Sequence, residues 1–140
     1  MNKTEIIAKV KSLHLPRGSY VVFGAAPMAI LGIREANDID LFVSPEIHKH
    51  LKKLGWKILV KGPKDTPLTY DVFEAHDNWN FSKYSPTLQD LLATAFEVDG
   101  VTFASMEEVR KWKAITMGPK HLADIKMIDK YVNATKDDTP

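Results

Sequence analysis

The chain has 140 residues, 44% of them hydrophobic, enough for one ordinary domain that buries about two-thirds of its unfolded surface. It contains no cysteine, which excludes disulfides, thiolate metal sites and cysteine nucleophiles together and fits a reducing compartment. The net charge is only +1, but it is unevenly spread: residues 1–64 sum to +6 and residues 65–140 to −5.

The N-terminal stretch MNKTEIIAKVKSLHLP carries charges throughout and has no apolar run long enough for a signal peptide or membrane span, so a cytoplasmic protein without membrane contact is expected. Ile6, Ile7, Val10 and Leu13 recur at helical spacing over residues 3–13, and Pro16-Arg17-Gly18 ends that helix. Tyr20 to Phe23 reads as a fully buried strand. Gly24 stands where the backbone turns into a short apolar helix carrying Met28, Ile30, Leu31 and Ile33, a place where a ligand can approach the main chain closely. A packing glycine is the plainer reading. Arg34, Glu35 and Asn37 form a polar loop, in which Arg34 is expected to pair with a neighbouring acid rather than a phosphate.

Asp38 to Val43 reads as a second strand. Successive side chains alternate on a strand, so Asp38 and Asp40 share one face and Ile39, Leu41 and Val43 the other. Two adjacent carboxylates repel each other and raise each other's pKa, and a divalent cation is the usual means of keeping both ionised, which points to magnesium.

Ser44-Pro45 opens a helix with Ile47, Leu51 and Leu54 on one face, closed by Gly55. His48 and His50 stand two apart on that helix and face different ways, so they do not chelate one ion. Lys57–Val60 and Leu68–Phe73 read as strands around a proline-rich loop. Lys49 to Lys64 contains six lysines and no acid, a surface that either is simply solvated or attracts a polyanion such as RNA or an acidic protein. Residues 75–84 read as a loop in which Trp79, Phe81 and Tyr84 either anchor to the core or stack on a base. Ser85-Pro86 predicts the start of a short helix through Leu88, Leu91 and Leu92. Asp99-Gly100 between Phe96–Val98 and Val101–Phe103 is a two-residue hairpin signal. Ser105 caps a helix with Glu108 reaching back, Gly118-Pro119 breaks it, and a last helix carries Leu122, Ile125, Ile128, Tyr131 and Val132. A domain over residues 1–135 is expected, followed by a polar tail at 136–140.

The segment Gly24-Ala25 followed by Asp38-Ile39-Asp40 resembles the signature of the nucleotidyltransferase superfamily, in which a strand ends in Gly-Gly or Gly-Ser, a helix follows, and the next strand carries Asp-x-Asp. Ala25 stands where family members have Gly or Ser. The C-terminal half resembles the family too: Lys113 matches a helix-ending lysine. Gly118-Pro119-Lys120-His121-Leu122-Ala123-Asp124-Ile125 matches an Arg-x-Lys-Asp-Leu-x-Asp-Ile motif, with Gly118 for Arg and His121 for Asp. The likeness covers about residues 18–133 and is nearest to minimal nucleotidyltransferases such as those of toxin–antitoxin and abortive-infection systems.

The resemblance implies an α+β domain with a mixed sheet flanked by helices, and Mg2+-dependent transfer of an NMP from an NTP to an acceptor hydroxyl on protein, RNA or a small molecule. It implies two Mg2+ ions on Asp38, Asp40 and a third carboxylate, for which Asp71 is the candidate, serving both as metal ligands and in catalysis. Gly24, Ala25, Lys113 and Lys120 would hold the nucleotide. Two other classes remain open. The departures at Ala25, Gly118 and His121 also suit a nucleotidyltransferase fold that has lost transfer and acts as an antitoxin-like or regulatory binding module. The lysine-rich stretch suits RNA contact without chemistry, which steep salt dependence would mark.

Overall fold

The two apolar runs YVVF and IDLFV become adjacent strands, β1 (Tyr20–Phe23) and β2 (Ile39–Val43), and every residue in both is buried. They pair antiparallel, with Val22 opposite Leu41 and Phe23 opposite Asp40. Strands covered on both faces need apolar side chains in both alternating sets, so neither run alternates with polar residues except at Asp40. A computed structural model describes residues 1–63, 65–78, 83–116 and 118–137. Among them β3 (Lys57–Ile58), β4 (Leu68–Tyr70), β5 (Phe73–His76), β6 (Phe96–Val98) and β7 (Val101–Phe103) complete a seven-stranded mixed sheet of order β3-β4-β5-β2-β1-β7-β6. The contacts β2·β5 and β1·β7 are parallel and the others antiparallel.

Helices cover both faces. On one, α1 (Lys3–Ser12) and α3 (Pro45–Lys53) set Ile6, Ile7, Val10 and Leu51 against Val22, Ile39, Leu41 and Val43. On the other, α4 (Leu88–Thr94), α5 (Met106–Thr116) and α6 (Pro119–Asp137) set Leu91, Val109 and Ile128 against Val21, Phe23 and Phe42. Between β1 and β2 runs α2 (Ala26–Ile30), five residues and all buried. So short a helix is marginal alone. Full burial of Met28 and Ile30, worth about 1.5–3 kcal/mol each, is what holds it.

The fold is the α+β mixed sheet with flanking helices expected from the sequence, with differences at several boundaries. The expected strand Leu68–Phe73 is two strands, because the chain turns at Asp71-Val72, where Asp71 takes φ +52°. Asp tolerates that left-handed conformation better than most residues. The neighbour of β2 is therefore β5, which runs on through Ala75 and His76 into the expected loop. Thr87, not Ser85, caps α4: its side chain accepts from the Asp90 amide and the Asp90 carboxylate accepts from the Thr87 amide. Asp99 and Gly100 both take positive φ, as the tight hairpin requires. Glu108 donates its amide to Ser105 Oγ, but its carboxylate accepts from the Tyr84 hydroxyl instead of reaching back, which anchors Tyr84. Trp79 and Phe81 lie outside the described residues. Helix α6 continues to Asp137, into the expected tail, and its Leu122 is exposed rather than packed.

Candidate functional site

The site forms at the edge of the sheet where β1 ends and β2 and β5 begin. At the end of β1, Gly24 turns with φ +73°, and a methyl group built there would collide with Asp40 Oδ2. The absent side chain is thus a condition of Asp40's position. Asp38 is exposed just before β2, while Asp40 is 9% exposed within it. The parallel register of β2 and β5 sets Glu74 directly opposite Asp40. The structure thereby groups Asp38, Asp40 and Glu74. Asp71 is not among them: its carboxylate meets Lys9 of α1 at 2.7 Å, toward the other face of the sheet.

Burial, then the charges of Asp38 and Glu74, pushes the Asp40 carboxyl well above the usual carboxylate range. Neighbouring carboxylates repel each other, and a bound cation relieves that repulsion. Lys61, from the loop between β3 and β4, forms an ion pair with Glu74. Burial alone would lower the Lys61 pKa, but the hydrogen bond and charge of Glu74 and the charge of Asp40 hold it raised. His76, two residues along the same strand, is shifted down by burial. Among the described residues no three His, Asp or Glu side chains stand ready as a metal cage.

Across a cavity of about 490 Å3, α5 and α6 supply the opposite wall. Ala25, Arg34, Lys113, Lys120 and His121 line it together with Asp38, Asp40, Glu74 and Lys61. Arg34 does pair with an acid, but one 90 residues away: its Nε and Nη2 donate to Asp124 at 2.7 and 2.9 Å. Lys113 Nζ donates to the same carboxylate at 2.8 Å. Asp124 and Lys113 are only 2% and 3% exposed. Burial acts to raise the Asp124 pKa, but the bonds from Arg34 and Lys113 outweigh it and the net shift is downward. Lys120 is exposed on the rim, with no acid partner among the described residues. His121 packs edge-on against Trp112 at 5.6 Å, its Nδ1 buried without a hydrogen-bond partner. Burial, then the Lys113 charge, pushes its pKa down.

Glu74, Lys61 and the tie of Arg34 and Lys113 to Asp124 were not read from the sequence. The alternation Phe73-Glu74-Ala75-His76 was the available signal for Glu74, since it suits a strand better than a segment with Asp at a turn. The lysine-rich stretch divides: Lys49, Lys52 and Lys53 are exposed on α3 and Lys57 on β3, Lys61 lines the cavity, and Lys64 lies outside the described residues.

A mixed sheet whose central antiparallel pair holds Gly24 against Asp38-x-Asp40, with a further acid in register on the next parallel strand, is a nucleotidyltransferase-like fold. By shape the chain is similar to the antibiotic-resistance factor ANT(2'')-Ia in its solution structure, with a TM-score of 0.53 and 17% identity over 97% of this chain and 88% of that one. It is similar also to the crystal structure of ANT(2'')-Ia in complex with adenylyl-2''-tobramycin, with a TM-score of 0.50 and 15% identity over 94% and 87%. At these identities the likeness is one of fold. No protein-family model and no curated protein matches the chain. No helix among the described residues is long and apolar enough to cross a membrane.

Proposed function

We propose that the chain transfers a nucleoside monophosphate from an NTP to an acceptor hydroxyl, with Mg2+ as cofactor. The observation that carries this is the grouping of Asp38, Asp40 and Glu74 on one wall of a cavity whose other wall bears Lys120, Lys113 and Arg34. The donor set is all oxygen, as Mg2+ prefers, and burial beside Asp38 and Glu74 raises the Asp40 pKa, a repulsion that a cation would relieve. Asp38 and Asp40 would hold it, and when bound it would offset charge on the triphosphate. Glu74, not Asp71, takes the role of third carboxylate.

The acceptor oxygen would attack the α-phosphorus as the bond to the β-phosphate oxygen breaks and pyrophosphate leaves. Glu74 is placed to take the acceptor proton, because it sits on the strand beside Asp40 and opens to the cavity. Lys120 is the cation on the rim best able to meet phosphate, since Lys113 is committed to Asp124. The turn at Gly24-Ala25 offers main-chain amides close to the acids, and Ala25 lacks the hydroxyl that a serine would add.

ANT(2'')-Ia, crystallised with adenylyl-2''-tobramycin, supports a small-molecule hydroxyl as one acceptor class; the resemblance to toxin–antitoxin enzymes supports RNA or protein. The exposed Lys49–Lys57 surface suits a polyanionic acceptor. A binding module without transfer is the second reading, favoured by the Lys61–Glu74 pair, which leaves Glu74 engaged. Purified protein incubated with α-labelled NTP, Mg2+ and cell extract or candidate acceptors decides between them. Label on an acceptor, lost in Asp40→Asn, supports transfer. Metal-dependent NTP binding without label supports the module, and no NTP or metal binding overturns both.

A further inference from the structure

The Lys61 ammonium sits on the third carboxylate, where the family resemblance leads one to expect a metal ion. Its root is fixed in a turn: the Lys61 amide donates to Asp65 O at 2.9 Å and the Leu59 amide to Pro67 O at 2.9 Å, with a reciprocal bridge between Gly62 and Asp65. The Lys61 side chain is 39% exposed, whereas that of its partner Glu74 is 16% exposed, so the pair reaches inward from the rim. Asp38 has no ion-pair partner among the described residues, and Asp40 is buried, in register with Glu74 and near the charge of Asp38. The cluster therefore has two unlike ends: Glu74 is paired with Lys61, whose charge also reaches Asp40, while Asp38 has no such partner among the described residues.

Resting on the nucleotidyl-transfer reading above, we propose that this site uses one divalent cation, held by Asp38 and Asp40, and that the Lys61 ammonium takes the place of the second on Glu74.

The test counts bound ions directly. Mn2+ is titrated into the protein in the presence of a non-hydrolysable NTP analogue, with bound and free Mn2+ separated by electron paramagnetic resonance. Wild type and Lys61→Arg should bind about one Mn2+ per chain, and Lys61→Ala about two, as Glu74 becomes free to ligate. Lys61 lies in a loop, and circular dichroism checks that Lys61→Ala keeps the wild-type fold. About two ions on the wild type, or still one on Lys61→Ala, overturns the substitution of lysine for metal and leaves nucleotidyl transfer standing. No Mn2+ and no analogue on any of the three proteins overturns the transfer reading itself, and this inference with it.

Discussion

Asp124→Asn tests the tie that holds the far wall of the cavity. Asparagine keeps the shape but removes the charge shared by Arg34 and Lys113, leaving a lysine that is 3% exposed with no carboxylate beside it. Removing one partner of a buried ion pair costs about 3–5 kcal/mol, and the lower end applies because Asn still accepts a hydrogen bond and Arg34 is partly solvated. Unfolding entropy of about 2.1 cal/mol/K per residue gives roughly 0.3 kcal/mol/K for 140 residues, so about 3 kcal/mol lowers Tm by roughly 10 °C. Thermal unfolding followed by circular dichroism reads the shift.

The pH dependence supplies a second check on the same variant. The folded-state pKa of Asp124 is depressed, so its contribution is present above the unfolded carboxylate value of about 3.9 and is lost as pH falls through the folded value. The gap between wild type and Asp124→Asn should therefore be full at pH 7 and narrow below about pH 4. A loss under about 1 kcal/mol at pH 7, or a gap that does not change between pH 7 and pH 3, would refute the reasoning.

Asp71→Asn breaks only an exposed pair with Lys9, costs at most about 1 kcal/mol and leaves nucleotide transfer intact, whereas Glu74→Gln lowers transfer by about a hundredfold or more; equal effects would restore Asp71 to the site. Gly24→Ala forces a left-handed alanine, at about 1–2 kcal/mol, into contact with Asp40 Oδ2, and calorimetry should show Mn2+ binding lost along with the fall in Tm. The raised Asp40 pKa means that the folded chain keeps a proton the unfolded chain releases above about pH 3.9, so metal-free stability falls as pH rises from there to the folded value. Mg2+ competes with that proton, so the Tm increase it gives should grow with pH across this window, and an increase independent of pH would count against the Asp40 site.

Which parts of this structure could be read from the sequence depended on whether the governing interactions were local. Tyr20–Phe23 and, apart from Asp40, Ile39–Val43 are apolar because both their faces are buried, and that property is visible in the residues themselves. Asp99-Gly100 and Ser44-Pro45 are turn and cap chemistry confined to two residues each. Asp71 and Glu74 could not be separated that way. Both stand between apolar neighbours, and what distinguishes them is a turn at Asp71 and a parallel register that pairs Glu74 with Asp40. Lys113 and Asp124 were marked by the family motif, but their link to Arg34 spans 90 residues and depends on how α5 and α6 settle on the sheet. Lys61 looked like one more surface lysine until the hairpin loop carried it to Glu74.

The sheet ends at β3, a strand of two exposed residues, beside exposed Leu54 and Val60. An open strand edge with apolar side chains is a template for another copy of the chain. Here the same border carries Lys52, Lys53 and Lys57, so two such edges brought together face like charges. That repulsion reaches about 10 Å at 0.1 M salt and only about 3 Å at 1 M. Association of the chain with itself should accordingly be opposed in dilute buffer and released as salt is added, so the edge is guarded by its ionic surroundings rather than by its shape.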